Sequence, residues 1–400
     1  MNDVRSTDST ILSDSEALRV VAQEVFLRQN PSFTANRRGT LRRGTEVWAN
    51  ARVVTADCPW GWLLIGPSAW ACDAENAFEG RHDVVGSPKN EPLTLRFAKI
   101  GDRGAVGYTT WAKVEQGLPD AELQPGFLVG LIEDKILEPD RYYRSTHGIF
   151  FLANEAEIVR PSAFAGRLLD DIEPVEGLSP FLPIGWVYVP DAKTRTKMSG
   201  PVSNQKVPRL TEVRVFEQIL GKDKLRWFRT HLGWLSSKQL RVPSTSEPPE
   251  AARKSGQYID VDTDTQTLVA YRNHRPWFTT LVSTGQGNTK TPIGEYRIWA
   301  KLLYSDMDNL DDFSQDANST VEEKPYVVEA VPWVMFFSGG YGFHATYWHH
   351  EFGTKKSHGC VNLSVADAER IFDFASPRLN AGWQAAHPSD YDPGTVIRIR

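Results

Sequence analysis

The sequence predicts a mainly β protein that is divided into several small units. Short runs of alternating apolar and polar residues recur along the chain, and turns containing Pro or Gly separate them. The 25 Pro, 30 Gly and many aromatic residues suit turn-rich β structure better than helical bundles. At 400 residues the chain is too long for one ordinary hydrophobic core, so we expect several domains.

Composition narrows the class of protein further. Apolar residues make up 40% and charged residues 24%, which is typical of a soluble globular chain. The net charge is −5 and no Lys/Arg run stands out, so we expect no nucleic-acid partner. Residues 1–16 are polar, contain no apolar signal core and are expected to form a disordered tail.

Three small β units are expected between residues 17 and 243. The first covers 17–80, and its stretch LRQNPSF…RRGTLRRGTEVW resembles the opening of a bacterial SH3-like domain. A weak repeat, YRSTHGIFF and later FRTHLGWLS, predicts two more SH3-like barrel units at 90–160 and 161–243. His147 and His231 occupy corresponding places in this repeat, and we interpret both as turn residues.

A proline-rich linker, 244–253, leads to a C-terminal domain at 254–400. GQYIDVDTD, QTLVAYR, PWFTTLVST, GEYRIWA and TVIRIR are predicted strands. The spacing of apolar residues predicts one helix at about 365–376, with Ser364 as its N-cap and Asp367 in capping-box position. The acidic segment 302–324 has no pattern and is predicted to be a long loop, which could act as a lid or be mobile.

The three cysteines fall into two groups. Cys58 and Cys72 lie in one short Trp-rich segment and could close a disulfide in an oxidising compartment, or remain two buried thiols. Cys360 is left without a partner in either case. An odd cysteine is a candidate for reactivity.

Cys360 lies in the stretch SHGCVN and has three possible roles: a buried thiol, a metal ligand or a nucleophile. A nucleophilic thiol needs a base nearby, and His344, His349, His350 and His358 all precede it closely. Of these, His344 ends the glycine-rich strand SGGYGFH and could reach the sulfur from an adjacent strand.

A metal site is the weaker alternative for the same cluster. Neither HExxH nor a paired CxxC is present, and His349 and His350 are adjacent, so they would point apart on a strand. We therefore expect no metal and no cofactor, with a zinc hydrolase as the rival hypothesis.

From about Gly256 to Arg400 the chain resembles the catalytic domain of bacterial L,D-transpeptidases, which is a β-sandwich with one or two short helices. Several blocks match in order. They are the hairpin YIDVD…QTLVAY, the pair LVSTG…KTPIG, the strand VPWVMFF, and GFH followed by SHGCVN.

The resemblance implies roles for the residues at the matching positions. Cys360 would be the nucleophile, and His344 would be its base and imidazolium partner, oriented by the backbone carbonyl of Ala345. The backbone of His358, Gly359 and Cys360 would shape an oxyanion hole.

Four further residues are assigned around this group on the same resemblance. Ser357 and Asn362 would position the site, with Asn362 standing where many members carry Arg. Trp348 and Trp333 would line the acyl-donor groove, and the alternative for each is packing in the core.

The implied activity is a cysteine acyl transfer that builds 3–3 cross-links between peptidoglycan stem peptides, with loss of a terminal D-alanine. Alternatives at the same site are an L,D-carboxypeptidase and a lipoprotein-anchoring or -releasing enzyme. A peptidoglycan-binding protein without activity is a further alternative. The resemblance also implies acylation by carbapenem-type β-lactams and a periplasmic or cell-wall location. The export signal would then have been removed, and we expect a monomer.

Overall fold

The computed structural model describes residues 9–80, 96–308 and 326–400. Within these ranges the protein is mainly β, as predicted, with strands gathered into several sheets. No helix in the described ranges has the length and apolarity needed to cross a lipid bilayer.

The first β unit, residues 9–80, is a small antiparallel sheet whose core also includes Trp383 and Ala386 of the C-terminal domain. Its strands are β1 (Ser9–Val20), β2 (Glu24–Arg28), β3 (Arg37–Arg42), β4 (Glu46–Val53), β5 (Trp62–Gly66), β6 (Ala69–Cys72) and β7 (Phe78–Gly80). β1 pairs antiparallel with β4 at residues 9–11 and 16–19, with an irregularity between them, so the prediction of a tail was wrong there. Residues 1–8 of the predicted tail lie outside the described residues. Strand pairing uses the backbone alone, so polar side chains do not prevent it. Cys58 and Cys72 form a disulfide.

The second β unit, residues 96–159, has its own core and one short helix. Its elements are β8 (Arg96–Ile100), β9 (Ala105–Tyr108), α1 (Trp111–Gln116), β10 (Ala121–Leu123), β11 (Leu128–Leu137), β12 (Asp140–Ser145), β13 (Phe150–Leu152) and β14 (Ala156–Val159). Thr110 caps α1 at its start, and Gly117 ends it in the left-handed conformation. Residues 90–95 of the predicted unit lie outside the described residues.

The third β unit is shorter than the predicted segment 161–243. After β15 (Arg167–Leu168), its strands are β16 (Ile184–Val187), β17 (Ala192–Arg195), β18 (Val202–Val207), β19 (Glu212–Leu220), β20 (Arg226–Thr230), β21 (Gly233–Ser236) and β22 (Leu240–Arg241). β15 itself pairs with a strand of the C-terminal domain, Leu168 opposite Phe278. The Gly166 N–H donates to the buried Asp367 carboxylate, 2.9 Å away, and so attaches this segment to that domain.

The segment predicted as a linker, 244–253, is attached to the C-terminal domain. The Ser246 hydroxyl donates to Asp260, and its N–H donates to the Tyr271 hydroxyl at 3.1 Å. Ala252 is fully buried in the core that the third β unit shares with the C-terminal domain. Proline enrichment therefore marks an extended segment that packs on the sheet.

The C-terminal domain is a β-sandwich with one helix between its sheets. Its elements are β23 (Tyr258–Asp262), β24 (Thr267–Arg272), β25 (Arg275–Leu281), β26 (Gly294–Arg297), β27 (Ala300–Asp308), β28 (Val327–Ser338), β29 (Tyr341–Ala345), β30 (Val361–Leu363), α2 (Val365–Phe374), β31 (Trp383–Ala386) and β32 (Val396–Ile399). One sheet has the order β15-β25-β24-β23-β32-β26, and the other runs β31-β27-β28-β29-β30. The two sheets and the helix share one core, which includes Ile259 of β23, Met335 of β28 and Ile371 of α2.

Two predictions in this domain need adjustment. The helix is present with Ser364 as its N-cap, but it ends at Phe374, two residues before the predicted end. Residues 302–308 of the predicted loop extend strand β27, and residues 309–324 lie outside the described residues. An acidic segment can therefore form a strand when an adjacent long strand, here β28, provides hydrogen-bond partners for its backbone.

All three small units contact the C-terminal domain. β3 pairs with β31, and Gly39 is required there because a Cβ would lie 2.6 Å from the Ala385 carbonyl oxygen. β11 adds a parallel bridge to β28, between Leu128 and Val328. The domain is thus held from several sides.

Candidate active site

The two parallel strands β29 and β30 bring the candidate catalytic residues together. Their register places Phe343 opposite Val361 and His344 opposite Asn362. Cys360 directly precedes β30, so it lies next to the pair formed by Phe343 and Val361, on the side of Gly342. Side chains alternate along a strand and match across paired strands, so Cys360, Asn362 and His344 project from one face.

His344 is fixed in the tautomer that a general base needs. The side chain is buried, and its Nδ1–H donates to the Ala345 carbonyl oxygen at 3.0 Å. Nε2 therefore carries the free lone pair. Burial lowers the pKa of His344 to about 4, which the hydrogen bond to Ala345 opposes only in part.

Cys360 is half-buried, and its sulfur lies 3.8 Å from the Gly340 carbonyl oxygen. Burial raises the pKa of the Cys360 thiol above its ordinary value, and a backbone contact with Gly342 offsets this in part. Both members of the pair are therefore uncharged at neutral pH. The imidazolium implied by the resemblance is not the resting state, because burial disfavours both charged forms.

The turn before Cys360 is held by Ser357 and Thr291. The Ser357 hydroxyl accepts from the Gly359 N–H at 3.1 Å and donates to the Cys360 carbonyl oxygen. The Thr291 hydroxyl donates to the Gly359 carbonyl oxygen at 2.7 Å and accepts from the Gly285 N–H. Thr291 of the KTPIG block therefore connects the STG block to the turn before Cys360. The position of Thr291 in this motif could have indicated such a role.

This turn changes the predicted oxyanion hole. Gly359 has φ +122°, and a Cβ there would lie 2.3 Å from the Tyr341 ring, so glycine is required. Because its N–H is already bonded to Ser357, it is not a donor for an oxyanion. Of the three predicted N–H donors, those of His358 and Cys360 remain. The imidazole of His358 stacks on Tyr326, with ring centroids 5.1 Å apart.

The two predicted groove tryptophans occupy different environments. Trp348 is partly exposed and stacks on the His344 imidazole, with centroids 5.8 Å apart. Trp333 is only 6% exposed and packs in the core against Phe372 of α2. The structure therefore supports the core-packing alternative for Trp333, and its assignment to the groove was wrong.

Sequence reasoning assigned no role to His349, which the structure places beside the site. The side chain is buried, and its Nε2 lies 3.0 Å from the Asn362 side-chain amide. Burial lowers the pKa of His349 to about 4, so the ring is neutral. His349 is buried and the adjacent His350 is exposed. The expectation that the two adjacent side chains point apart is the one sequence signal that could have indicated this difference.

Within the described ranges, no group of three or more His, Cys, Asp or Glu residues is arranged to hold a metal ion. The arrangement offers a thiol and a neutral base on the same face, and the N–H groups of His358 and Cys360 in the adjoining turn stay the candidate oxyanion donors. These are the parts needed for nucleophilic acyl transfer.

One protein-family model agrees with this chemistry. The YkuD family model, described as the L,D-transpeptidase catalytic domain, matches residues 256–399. No curated protein matches the chain.

Several solved structures are similar to parts of the chain. The catalytic domain of an E. faecium L,D-transpeptidase is 22% identical, with 36% of this chain and 98% of that chain covered and a TM-score of 0.28. An L,D-transpeptidase from Stackebrandtia nassauensis is 23% identical, with 37% and 56% covered and a TM-score of 0.24. One from Mycobacterium smegmatis is 14% identical, with 67% and 98% covered and a TM-score of 0.28.

The family model and the active-site motif cover the same segment, which contains Cys360, His344 and the turn between them. Residues 256–399 are therefore an L,D-transpeptidase catalytic domain of the YkuD family.

Proposed function

We propose that this protein is a peptidoglycan L,D-transpeptidase that forms 3–3 cross-links between stem peptides. The observation that carries the proposal is the position of Cys360 and His344 on one face of paired strands, with His344 Nε2 free to accept a proton. The family match supports the substrate class.

The reaction would proceed in two steps. As the Cys360 sulfur attacks the carbonyl carbon of the diamino-acid residue in a donor tetrapeptide, its proton moves to His344 Nε2. The C–N bond to the terminal D-alanine then breaks, and the imidazolium protonates the leaving amine. An amine on an acceptor stem attacks the resulting thioester and restores the thiol.

The location is proposed to be the periplasm or cell wall, where this substrate occurs. The Cys58–Cys72 disulfide supports this proposal, because disulfides persist in oxidising compartments and are rare in the cytosol. Carbapenem-type β-lactams are proposed to acylate Cys360, since their strained carbonyl offers the same electrophile.

Product analysis with purified muropeptides tests the function. We expect disaccharide-tetrapeptide to yield dimers linked between two diamino acids, with one D-alanine released per link. Release of D-alanine with only tripeptide monomers would instead identify a carboxypeptidase. Turnover of neither kind by folded protein would favour a peptidoglycan-binding role.

The acylation rate should have a characteristic pH dependence. Since the reactive pair is neutral at rest, the rate constant for carbapenem acylation should be nearly constant between pH 6 and 8. It should fall as His344 becomes protonated near its pKa of about 4. Stopped-flow measurement across this range checks the prediction. A rise of about tenfold per pH unit between 6 and 8 would indicate that free thiolate is the reactive species and contradict it.

A further inference from the structure

The pair formed by His349 and Asn362 lies next to the catalytic residues and has no role in the chemistry described so far. Asn362 is directly opposite His344 and is only 3% exposed. One atom of its side-chain amide faces His349 Nε2, and the other has no hydrogen-bond partner among the described residues. A buried, unpartnered polar atom is rare in a folded protein and is concentrated at functional sites.

The hydrogen bonds of His349 determine which amide atom faces it. The Glu351 N–H donates to His349 Nδ1 at 3.2 Å, so Nδ1 carries no proton. A neutral imidazole then has its only proton on Nε2, and this N–H needs an acceptor. The structure has the Asn362 nitrogen Nδ2 facing Nε2, which would set two donors against each other. An NH2 group cannot accept, so the amide must be turned over to place the carbonyl oxygen Oδ1 there.

The position of the other amide atom follows. With Oδ1 bound to His349, the NH2 group takes the place of the unpartnered atom. Asn362 and His344 project from the same face, and Cys360 lies two residues earlier on that face. The NH2 group of Asn362 therefore lies on the face shared with His344 and Cys360, shielded from solvent and without a hydrogen-bond partner among the described residues.

The third β unit fixes the backbone that carries His349. The Arg209 guanidinium donates to the carbonyl oxygens of His350 and Phe352, and the Arg241 Nε donates to that of Gly353 at 3.1 Å. The Ser283 hydroxyl donates to the Glu351 carbonyl oxygen. His349 thus approaches Asn362 from a segment that is anchored on both sides.

We propose that His349 is a positioning residue that holds the Asn362 amide with its NH2 group turned toward the face that carries Cys360 and His344. The expected effect on the acylation rate rests on the proposed acyl transfer. The orientation of the His349–Asn362 pair can be measured without turnover.

The first measurement is the tautomer of His349 by 15N NMR of the full chain, assigned with the His349→Gln variant. We expect the Nε2–H form at pH 7. The Nδ1–H form would overturn the proposal, whether or not the protein acylates, so a failure of the proposed function remains distinguishable.

The second measurement is acylation by imipenem, separated into the first-order rate constant and the half-saturating concentration. His349→Phe removes the N–H donor, whereas His349→Gln can still donate an N–H to the Asn362 carbonyl oxygen. We expect a loss of about 10- to 100-fold in the rate constant for His349→Phe, of the size seen when a supporting hydrogen bond of a reactive group is removed. We expect His349→Gln to recover most of it.

Two controls separate positioning from structure. His350→Gln changes the exposed neighbour and should leave acylation unchanged. Thermal unfolding shows whether each variant is folded at the assay temperature. Equal impairment by His349→Phe and His349→Gln in folded protein would overturn the proposal, as would a wild-type rate in His349→Phe.

Discussion

Substitution of Cys360 by alanine should abolish acylation by a carbapenem while leaving the protein almost as stable as the wild type. The nucleophile forms the covalent bond, so we expect a loss of at least about 10³-fold. The Cys360 side chain is half-buried, and its polar contacts are with backbone groups of Gly340, 3.8 Å away, and Gly342. Its removal should therefore change the free energy of unfolding by less than about 1 kcal/mol. Intact-protein mass spectrometry and thermal unfolding measure the two effects.

Interpretation of this experiment is simplified by the cysteine inventory. Cys58 and Cys72 are joined, so Cys360 is the chain's one free thiol. An adduct that persists in Cys360→Ala would place acylation on another residue. A large fall in melting temperature would indicate that the thiol is structural.

Substitution of Lys301 by methionine should cause a large loss of stability in the catalytic domain. Lys301 is 1% exposed, and its Nζ donates to the carbonyl oxygens of Phe372 and Ala375 at the end of α2. Burial lowers the pKa of Lys301 to about 7, so the variant relieves a buried charge in about half of the molecules at pH 7 and in few at pH 9. It does leave two buried carbonyl groups without donors, which costs about 3 kcal/mol.

Denaturant unfolding of Lys301→Met against wild type measures this cost, with the exposed Lys254→Met as matched control. The pH dependence provides an independent check. In wild type, the unfolded state binds more protons than the folded state between pH 7 and about 10.5, because Lys301 titrates near 7 when folded. The free energy of unfolding of the wild type should therefore increase relative to that of the variant as the pH rises above 7. If the difference in stability between wild type and variant were the same at pH 7 and pH 9, this account of Lys301 would be refuted.

The strands and helix of the catalytic domain could be predicted because their signals are local. Apolar residues alternate in Tyr258–Asp262, and Ser364 precedes a helical spacing of apolar residues. The core position of Trp333 also has a local signal, because Trp333, Met335 and Phe337 alternate along the strand and share one core. The assignment of Trp333 to the groove came from the family resemblance and not from this pattern.

The catalytic pair could also be anticipated, whereas its surroundings could not. His344 and Cys360 belong to a motif whose order along the chain carries information. The contact of His349 with Asn362 depends on a loop whose carbonyl oxygens are held by Arg209 and Arg241, more than 100 residues earlier. The same limit applies to Gly166, whose bond to Asp367 joins segments 201 residues apart. Such contacts arise from tertiary packing and leave no periodic signal.

The most direct test of the central claim is mass analysis of the wild-type protein during reaction with a disaccharide-tetrapeptide donor whose side-chain amine is acetylated, so that the donor cannot also serve as the acceptor. The account predicts a covalent adduct on Cys360 whose mass equals the donor less D-alanine, together with one equivalent of free D-alanine. Release of D-alanine by the wild type and Cys360→Ala proteins alike, with no adduct on Cys360 in the wild type, would contradict it.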